Sequence, residues 1–249
     1  FLTASLNTRS NLAEDIVPPA SSQIYDIHGN EIANIHAAEN RRPIGINEIP
    51  KNLQNAFIAV EDNRFYDHIG IDPRGIVRAI WANIRGRTVT EGGSTITQQL
   101  AKNAYLTQDR TLKRKVQEVF LALQLERQYT KQEILELYMN QIYFGQGAYG
   151  VQAAARTYFG KDAKDLTLNE CAMLAGIPKS PNYYSPVNNM DAATERKAVV
   201  LDQMVKYGYI SDSEAAAAKK EPLHIAKNTN DGGKSASYFV DYVLQQLAE

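Results

Sequence analysis

The sequence predicts a mainly α protein with a small β-hairpin near its N-terminus. Thr130, Thr167 and Ser211 are each followed three residues later by Glu, which is the capping-box signature of a helix start. Extended patterning is confined to residues 22–36, where two short strands flank a His-Gly-Asn turn. From about residue 50 onward, the chain is therefore predicted to be nearly all helix.

Further helix signals fill the chain between these boxes. Pro73 at a first helical position predicts a basic amphipathic helix over 74–85, which could be a core helix with a solvated basic face or a helix lying at a lipid surface. Other helices are predicted up to Glu61, from Ile96 after a Gly-Gly-Ser-Thr segment, and over 111–128, 134–144, 171–175 and 191–207.

Composition bounds the class of protein. The 249 residues are 44% hydrophobic and 22% charged, which is enough for the core of one domain and excludes a disordered chain. Cys171 is the one cysteine, so no disulfide can form within the chain. No apolar run approaches the roughly 18 residues of a membrane span, so none is predicted in this sequence.

The segment 61–72 concentrates charge at an unusual place. It contains four acids and His68 and directly follows the apolar run 56–60, so Glu61 and Asp62 are expected where the core gives way to a cleft. A helix end running into a polar turn, with Gly70 as the breaker, explains the residues as well as a catalytic site does.

The net charge of −1 hides a basic region. Residues 74–115 contain nine Lys or Arg residues against two acids. This imbalance predicts an anionic partner, and charge alone leaves nucleic acid, a phosphate-bearing ligand and a membrane surface open.

Glu118 is predicted to lie away from the solvated face of its helix. At about 100° per residue, an apolar group that includes Val116 and Phe120 falls opposite Glu118, whereas Leu121 and Leu125 share its side. Its neighbours one turn earlier are basic, so either a buried structural ion pair or a functional carboxylate fits the pattern.

Five segments in order resemble the motifs of the peptidoglycan glycosyltransferases, glycosyltransferase family 51. They are Glu-Asp-x-x-Phe-x-x-His-x-Gly-x-Asp at 61–72, Gly-Gly-Ser-Thr-Ile-Thr-Gln-Gln-Leu-x-Lys-Asn at 92–103, Arg-Lys-x-x-Glu at 114–118, a block over 134–161 with Glu-Leu-Tyr-Met-Asn and Tyr-Phe-Gly, and Leu-Ala-Gly-Ile-Pro-x-x-Pro at 174–181. The resemblance covers roughly 52–209, and the departures, such as Met139 in place of leucine, are conservative. It implies a lysozyme-like helical fold that polymerises lipid II into glycan strands.

This resemblance assigns roles to individual residues. Glu61 would be the general base that deprotonates the acceptor 4-hydroxyl for an inverting attack on the lipid-diphosphate-linked donor chain. Glu118 would position cations or a divalent metal, Mg or Mn, whose site is unknown. The substrate-binding residues would be Asp62, Arg78, Ser94, Gln99, Lys102, Arg110 and Lys115. His68 is expected to be structural.

The chemistry of this reaction agrees with these residue types. Because a diphosphate leaves as a stabilised anion, the reaction needs a general base and cations but no strong general acid. Two well-separated carboxylates also suit an inverting displacement.

The resemblance also implies a context. Residues 1–45 would form the N-terminal segment with the hairpin, 46–210 the glycosyltransferase domain, and 211–249 the helices that lead to a transpeptidase domain of a bifunctional class A penicillin-binding protein. The partners would be lipid II and the growing chain, the outer, periplasmic surface of the bacterial cytoplasmic membrane, and moenomycin-type inhibitors. A native membrane anchor and the transpeptidase domain are expected to lie outside this sequence.

Two other functions fit parts of the pattern. A lysozyme-like hydrolase would use an acid in a helical cleft, but it would make no use of so many cations. A non-catalytic module could bind anionic lipid through the basic helix over 74–85, which carries Trp81. Nucleic acid is not expected, because the basic residues surround a glutamate rather than form a solvated stripe.

Overall fold

The computed structural model describes residues 22–25, 31–35, 40–75, 93–105 and 111–226. Helices dominate these ranges, which confirms the mainly α prediction. They are α1 (Lys51–Glu61), α2 (Ile96–Tyr105), α3 (Leu112–Gln128), α4 (Lys131–Gln141), α5 (Val151–Phe159), α6 (Leu168–Gly176), α7 (Met190–Lys206) and α8 (Asp212–Lys220). Within these described ranges, no helix is both long and apolar enough to cross a bilayer.

Short strands accompany the helices. They are β1 (Ser22–Tyr25), β2 (Glu31–Ile35), β3 (Asn40–Arg41) and β4 (Ala148–Tyr149). Strands β1 and β2 pair antiparallel, with Ser22 opposite Ile35. The turn at 26–30 lies outside the described residues, so the hairpin and the proposed domain boundaries stay predictions. Strand β3 pairs in parallel with β4 and ties the N-terminal segment to the loop after α4.

The three capping boxes predicted from the sequence are confirmed. In each, the hydroxyl at the N-cap accepts a hydrogen bond from the backbone N–H three residues later, and the Glu at that position accepts one from the N-cap N–H. The pairs are Thr130 with Glu133, Thr167 with Glu170, and Ser211 with Glu214. Because these bonds satisfy donors that a helix start leaves unpaired, they fix where α4, α6 and α8 begin.

Helix α6 forms the centre of the core. Its residues from Asn169 to Gly176 are buried, and it packs against α1 and α7. Phe57 on α1 contacts the rings of Tyr138 and Phe144 edge-on, with centroids 5.9 and 6.1 Å away. Such packing holds α1 from two sides, so the position of its C-terminal residue, Glu61, is set by the core.

Helix α2 packs against α3 and α4, and the loop after α1 lies beside this second group. Gly70 in that loop has φ of +90°, and a Cβ there would stand 3.0 Å from the carbonyl oxygen of Ala122 on α3. Only glycine combines this left-handed backbone with so close an approach. The loop 62–72 is thereby held between the end of α1 and the side of α3.

Cys171 is expected to be inert in the folded protein. Its side chain is fully buried in α6, and burial raises the pKa of its thiol to about 12. Since the thiolate is the reactive form, an aromatic disulfide reagent at pH 8 should label Cys171 only after guanidinium unfolds the chain. Rapid stoichiometric labelling under native conditions would contradict this packing of α6.

Candidate active site

A surface pocket opens where α1 ends and α2 begins. Its lining includes Glu61 and Asp62 from the end of α1, Asp72 from the following loop, and Ser94 and Thr95 from the start of α2. Two of the sequence motifs, at 61–72 and 92–103, therefore meet at one place, although about thirty residues separate their starts.

Glu61 lies at the edge of this pocket and is held by a neutral partner. The Nε2 atom of Gln99 donates a hydrogen bond of 2.9 Å to Glu61 Oε2. Tyr138 on α4 in turn donates its hydroxyl hydrogen to Gln99 Oε1 at 3.2 Å. Within the described part of the chain, no cation pairs with Glu61, so its carboxylate is available at the pocket surface.

Asp62 has the opposite environment, because its carboxylate is buried and fully engaged. The ring Nε2 of His68 lies 3.0 and 2.9 Å from its two oxygens, and the backbone N–H of Ile96 donates to Oδ2 at 3.0 Å. Ile96 opens α2, so the carboxylate also lies at the positive end of the helix dipole. These contacts favour a structural role for Asp62, and its predicted binding of substrate stays a prediction.

Hydrogen bonding defines the tautomer of His68. The backbone N–H of Gly70 donates to His68 Nδ1 at 3.1 Å, so Nδ1 carries no proton and Nε2 carries the hydrogen that is donated to Asp62. The ring is buried and has no free nitrogen to offer a substrate. These contacts agree with the expectation that His68 is structural.

Lys115 connects the pocket to Glu118. Its Nζ donates to Ser94 Oγ at 3.0 Å and also forms an ion pair with Glu118. Arg114 donates from Nη1 to the second oxygen, Glu118 Oε2, at 3.1 Å. An ammonium group fixed in this way beside the pocket is suited to an anionic ligand.

The prediction that Glu118 lies away from solvent is confirmed, since it is 2% exposed. The opposite side of α3 carries Val116 and Phe120, which are 69% and 51% exposed. Helix α3 thus turns a paired carboxylate toward the protein and apolar side chains toward the outside.

The structure says less about three other predicted binding residues, Lys102, Arg78 and Arg110. Lys102 is exposed and follows Gln99 by three residues on α2, which puts both on one face of the helix. Arg78 and Arg110 lie outside the described residues, as does most of the predicted helix over 74–85.

Three residues near Glu61 were not predicted as site residues from the sequence, namely Tyr138, Lys179 and Arg196. Tyr138 is 1% exposed, and burial raises the pKa of its phenol well above the usual range, with the charges of Glu61 and Asp62 acting in the same direction. Burial lowers the pKa of the Arg196 guanidinium, and the Glu61 carboxylate opposes that effect. The sequence did contain a signal for Tyr138: it is a tyrosine on an otherwise apolar helix face, and a hydroxyl buried there requires a hydrogen-bond partner.

The described residues form no site for the expected divalent cation. Among the described residues, no three His, Cys, Asp or Glu side chains are placed to share a metal ion. The oxygens of Asp62 are used by His68 and Ile96, and those of Glu118 by Arg114 and Lys115. The cation stays a prediction, and no step below depends on it.

The described part of the chain combines a helical fold with a carboxylate and a fixed ammonium beside one pocket, and comparison with known proteins identifies the family. The family model described as Transglycosylase matches residues 28–205. The chain therefore belongs to the transglycosylase family, which confirms the resemblance drawn from the five motifs.

Several curated proteins are similar to this chain. It is 51% identical over 232 residues to penicillin-binding protein 1F of Bacillus subtilis, covering 92% of this chain and 32% of that protein. It is 45% identical over 225 residues to penicillin-binding protein 1A of Escherichia coli, covering 90% of this chain and 26% of that protein. The chain thus spans about a third or less of the length of these relatives.

A solved structure has the same helical fold. The crystal structure of penicillin-binding protein 1A from Haemophilus influenzae matches with a TM-score of 0.51 at 30% identity. The match covers 84% of this chain and 22% of that one.

Proposed function

We propose that the chain is a peptidoglycan glycosyltransferase that polymerises lipid II into glycan strands. The observation that carries this proposal is that two groups lie close to one pocket: Glu61, which forms no ion pair within the described residues, and Lys115, which is held beside the pocket by Ser94 and Glu118. Family membership supports the reaction class, and these two groups supply the base and the cation that it requires.

The proposed reaction is an inverting displacement. The 4-hydroxyl oxygen of the acceptor lipid II forms a bond to the anomeric carbon of the donor chain as the bond from that carbon to the diphosphate oxygen breaks. The hydroxyl proton passes to Glu61, and the bonding electron pair leaves with the lipid diphosphate. Lys102, Arg110 and Lys115 hold the diphosphate, and Glu118 fixes the position of Lys115.

A hydrolase is less well supported by the same geometry. Water as the nucleophile would make no use of an ammonium fixed beside the pocket, whereas a diphosphate leaving group needs it. We further propose that the longer protein carries a transpeptidase domain, acts at the outer face of the cytoplasmic membrane and is blocked by moenomycin-type inhibitors.

The test is synthesis of glycan from lipid II in detergent by the whole 249-residue chain. We expect long glycan strands together with released polyprenyl diphosphate. Cleavage of preformed strands, without polymer formation from lipid II, would instead support the hydrolase.

The proposal also places the pocket at a membrane surface, since lipid II is anchored by its polyprenyl tail. The sequence directs this contact to residues 74–106, of which 76–92 and 106 lie outside the described residues. The exposed apolar side chains Val116 and Phe120 on α3, close to the paired Lys115, offer a second apolar surface for lipid.

We expect the chain to bind anionic vesicles through both charge and apolar contact. Raising salt from 0.1 to 1 M shortens the Debye length from about 10 to about 3 Å, so sedimentation with vesicles should weaken but not vanish. Trp81→Ser with Ile84→Ser, and separately Val116→Ser with Phe120→Ser, should reduce the binding that remains at high salt. Unaltered binding in both folded double variants would place the contact elsewhere, and a loss of thermal stability would show that the replaced side chains belong to the core.

A further inference from the structure

A buried hydroxyl, that of Tyr138, lies close to Glu61. The side chain is 1% exposed on α4, and its ring contacts Phe57 of α1 edge-on. A phenol buried to this extent requires a hydrogen-bond acceptor, and here the acceptor is a side-chain amide rather than a backbone carbonyl. Tyr138 thereby links the core to a group that contacts the pocket.

Glu61 and Tyr138 together set which way the amide of Gln99 faces, because the carboxylate can only accept and the buried phenol needs an acceptor for its hydrogen. Since the phenol donates to Oε1, the NH₂ end of the amide points to Glu61 and donates to Oε2 at 2.9 Å. A flipped amide would bring its oxygen against the carboxylate, and the buried phenol would then accept from the NH₂ group and lose the acceptor for its own hydrogen. The hydrogen bonds therefore run in one direction, from Tyr138 through Gln99 to Glu61.

Burial keeps this direction fixed over the working pH range. The raised pKa of the Tyr138 phenol means that it remains protonated and acts as a donor. With Oε2 of Glu61 occupied by Gln99, Oε1 has no hydrogen-bond partner within the described part of the chain. Oε1 is thus the oxygen left to accept a proton at the pocket.

We propose that Tyr138 is a positioning residue, whose hydroxyl orients the Gln99 amide so that Glu61 presents Oε1 to the acceptor hydroxyl. This inference rests on the proposed function, because it assigns Glu61 the role of general base. Tyr138 itself touches no substrate and acts only through Gln99.

The matched pair of variants is Tyr138→Phe and Tyr158→Phe. Tyr158 is an equally buried tyrosine whose hydroxyl donates to the carbonyl of Phe144 at 2.7 Å, apart from the Gln99 and Glu61 contacts. Both substitutions remove one buried hydroxyl, so both should lower the melting temperature by a similar amount. Only Tyr138→Phe should lower kcat, by about 5- to 20-fold, with little change in KM for lipid II.

A double-mutant cycle with Gln99 separates positioning from a general loss of stability. In a Gln99→Ala background, Tyr138→Phe should have no further effect on kcat, because the link from Tyr138 to Glu61 is already broken.

A measurement without turnover distinguishes the two proposals. The ¹⁵N side-chain amide signal of Gln99 should move, and its amide hydrogens should exchange faster with solvent, in Tyr138→Phe than in the wild type and in Tyr158→Phe. A wild type that forms no polymer would refute the proposed function, whereas an unchanged Gln99 amide signal and exchange rate in folded Tyr138→Phe would overturn the positioning role. Equal effects of the two Tyr→Phe variants on kcat, or additive effects of Gln99→Ala and Tyr138→Phe, would overturn it as well.

Discussion

Glu61→Gln is expected to lower the rate of glycan polymerisation by about 10² to 10⁴-fold, the range that a positioned general base supplies. The amide keeps the shape of the side chain and can still hydrogen-bond to Gln99, but it cannot take up the proton from the 4-hydroxyl of the acceptor sugar. Binding of substrate and thermal stability should therefore change little, since Glu61 has no ion pair to lose within the described residues. The measurement is the initial rate at saturating lipid II, together with the melting temperature.

Asp67→Asn is the matched control for this change. Asp67 lies in the loop that follows Glu61 and is exposed, and its ion-pair contact with Arg64 is long at 3.8 Å. Removing its charge should leave the polymerisation rate close to that of the wild type. If Glu61→Gln retained more than about half the wild-type rate, Glu61 would not be the base.

Lys115→Ala is expected to have the second-largest effect, a loss of about 10² to 10³-fold in turnover. The ammonium is placed beside the pocket by Ser94 and Glu118, where it can stabilise the charge that develops on the departing diphosphate. Because the proposed contact would also bind the diphosphate in the ground state, KM should rise and competition by moenomycin-type inhibitors should weaken. Steady-state kinetics and inhibitor titration measure these effects separately.

Arg114→Ala separates the phosphate role from the structural ion pair. Arg114 and Lys115 both pair with Glu118, but only Lys115 reaches Ser94 at the pocket. Loss of either cation leaves the buried carboxylate with one partner, so both variants should lose stability. A fall in turnover and inhibitor affinity confined to Lys115→Ala would support the phosphate role, and equal falls in both variants would favour a structural network.

Local features of this fold could be predicted from the sequence. The capping boxes at Thr130, Thr167 and Ser211 each span only four consecutive residues, so they can be recognised from the sequence alone. The burial of Glu118 followed from helical periodicity, since the angle of each side chain about α3 depends only on spacing. The five motifs identified the family for the same reason, because each is a short contiguous pattern.

Contacts between distant segments could not be predicted in this way. The bonds from Gln99 to Glu61 and from Tyr138 to Gln99 span 38 and 39 residues, and they depend on how α1, α2 and α4 pack. The resemblance to the family grouped Asp62 with the substrate-binding residues. Its neighbours His68 and Ile96 became apparent only when the loop and the start of α2 were placed side by side.

The acidic loop 62–72 also bears on the reorganisation energy of the reaction. Asp62 is bonded to His68 and Ile96, and Asp72 accepts from Arg64 Nη1 at 3.1 Å, so the buried charges of the loop are already solvated by the protein. Thr95 adds a hydrogen bond of 2.7 Å to the carbonyl of Gly70, which ties the loop to the start of α2. Dipoles fixed in this way do not have to turn when charge moves from the acceptor hydroxyl to the departing diphosphate, unlike the water molecules that would surround the same reaction in solution.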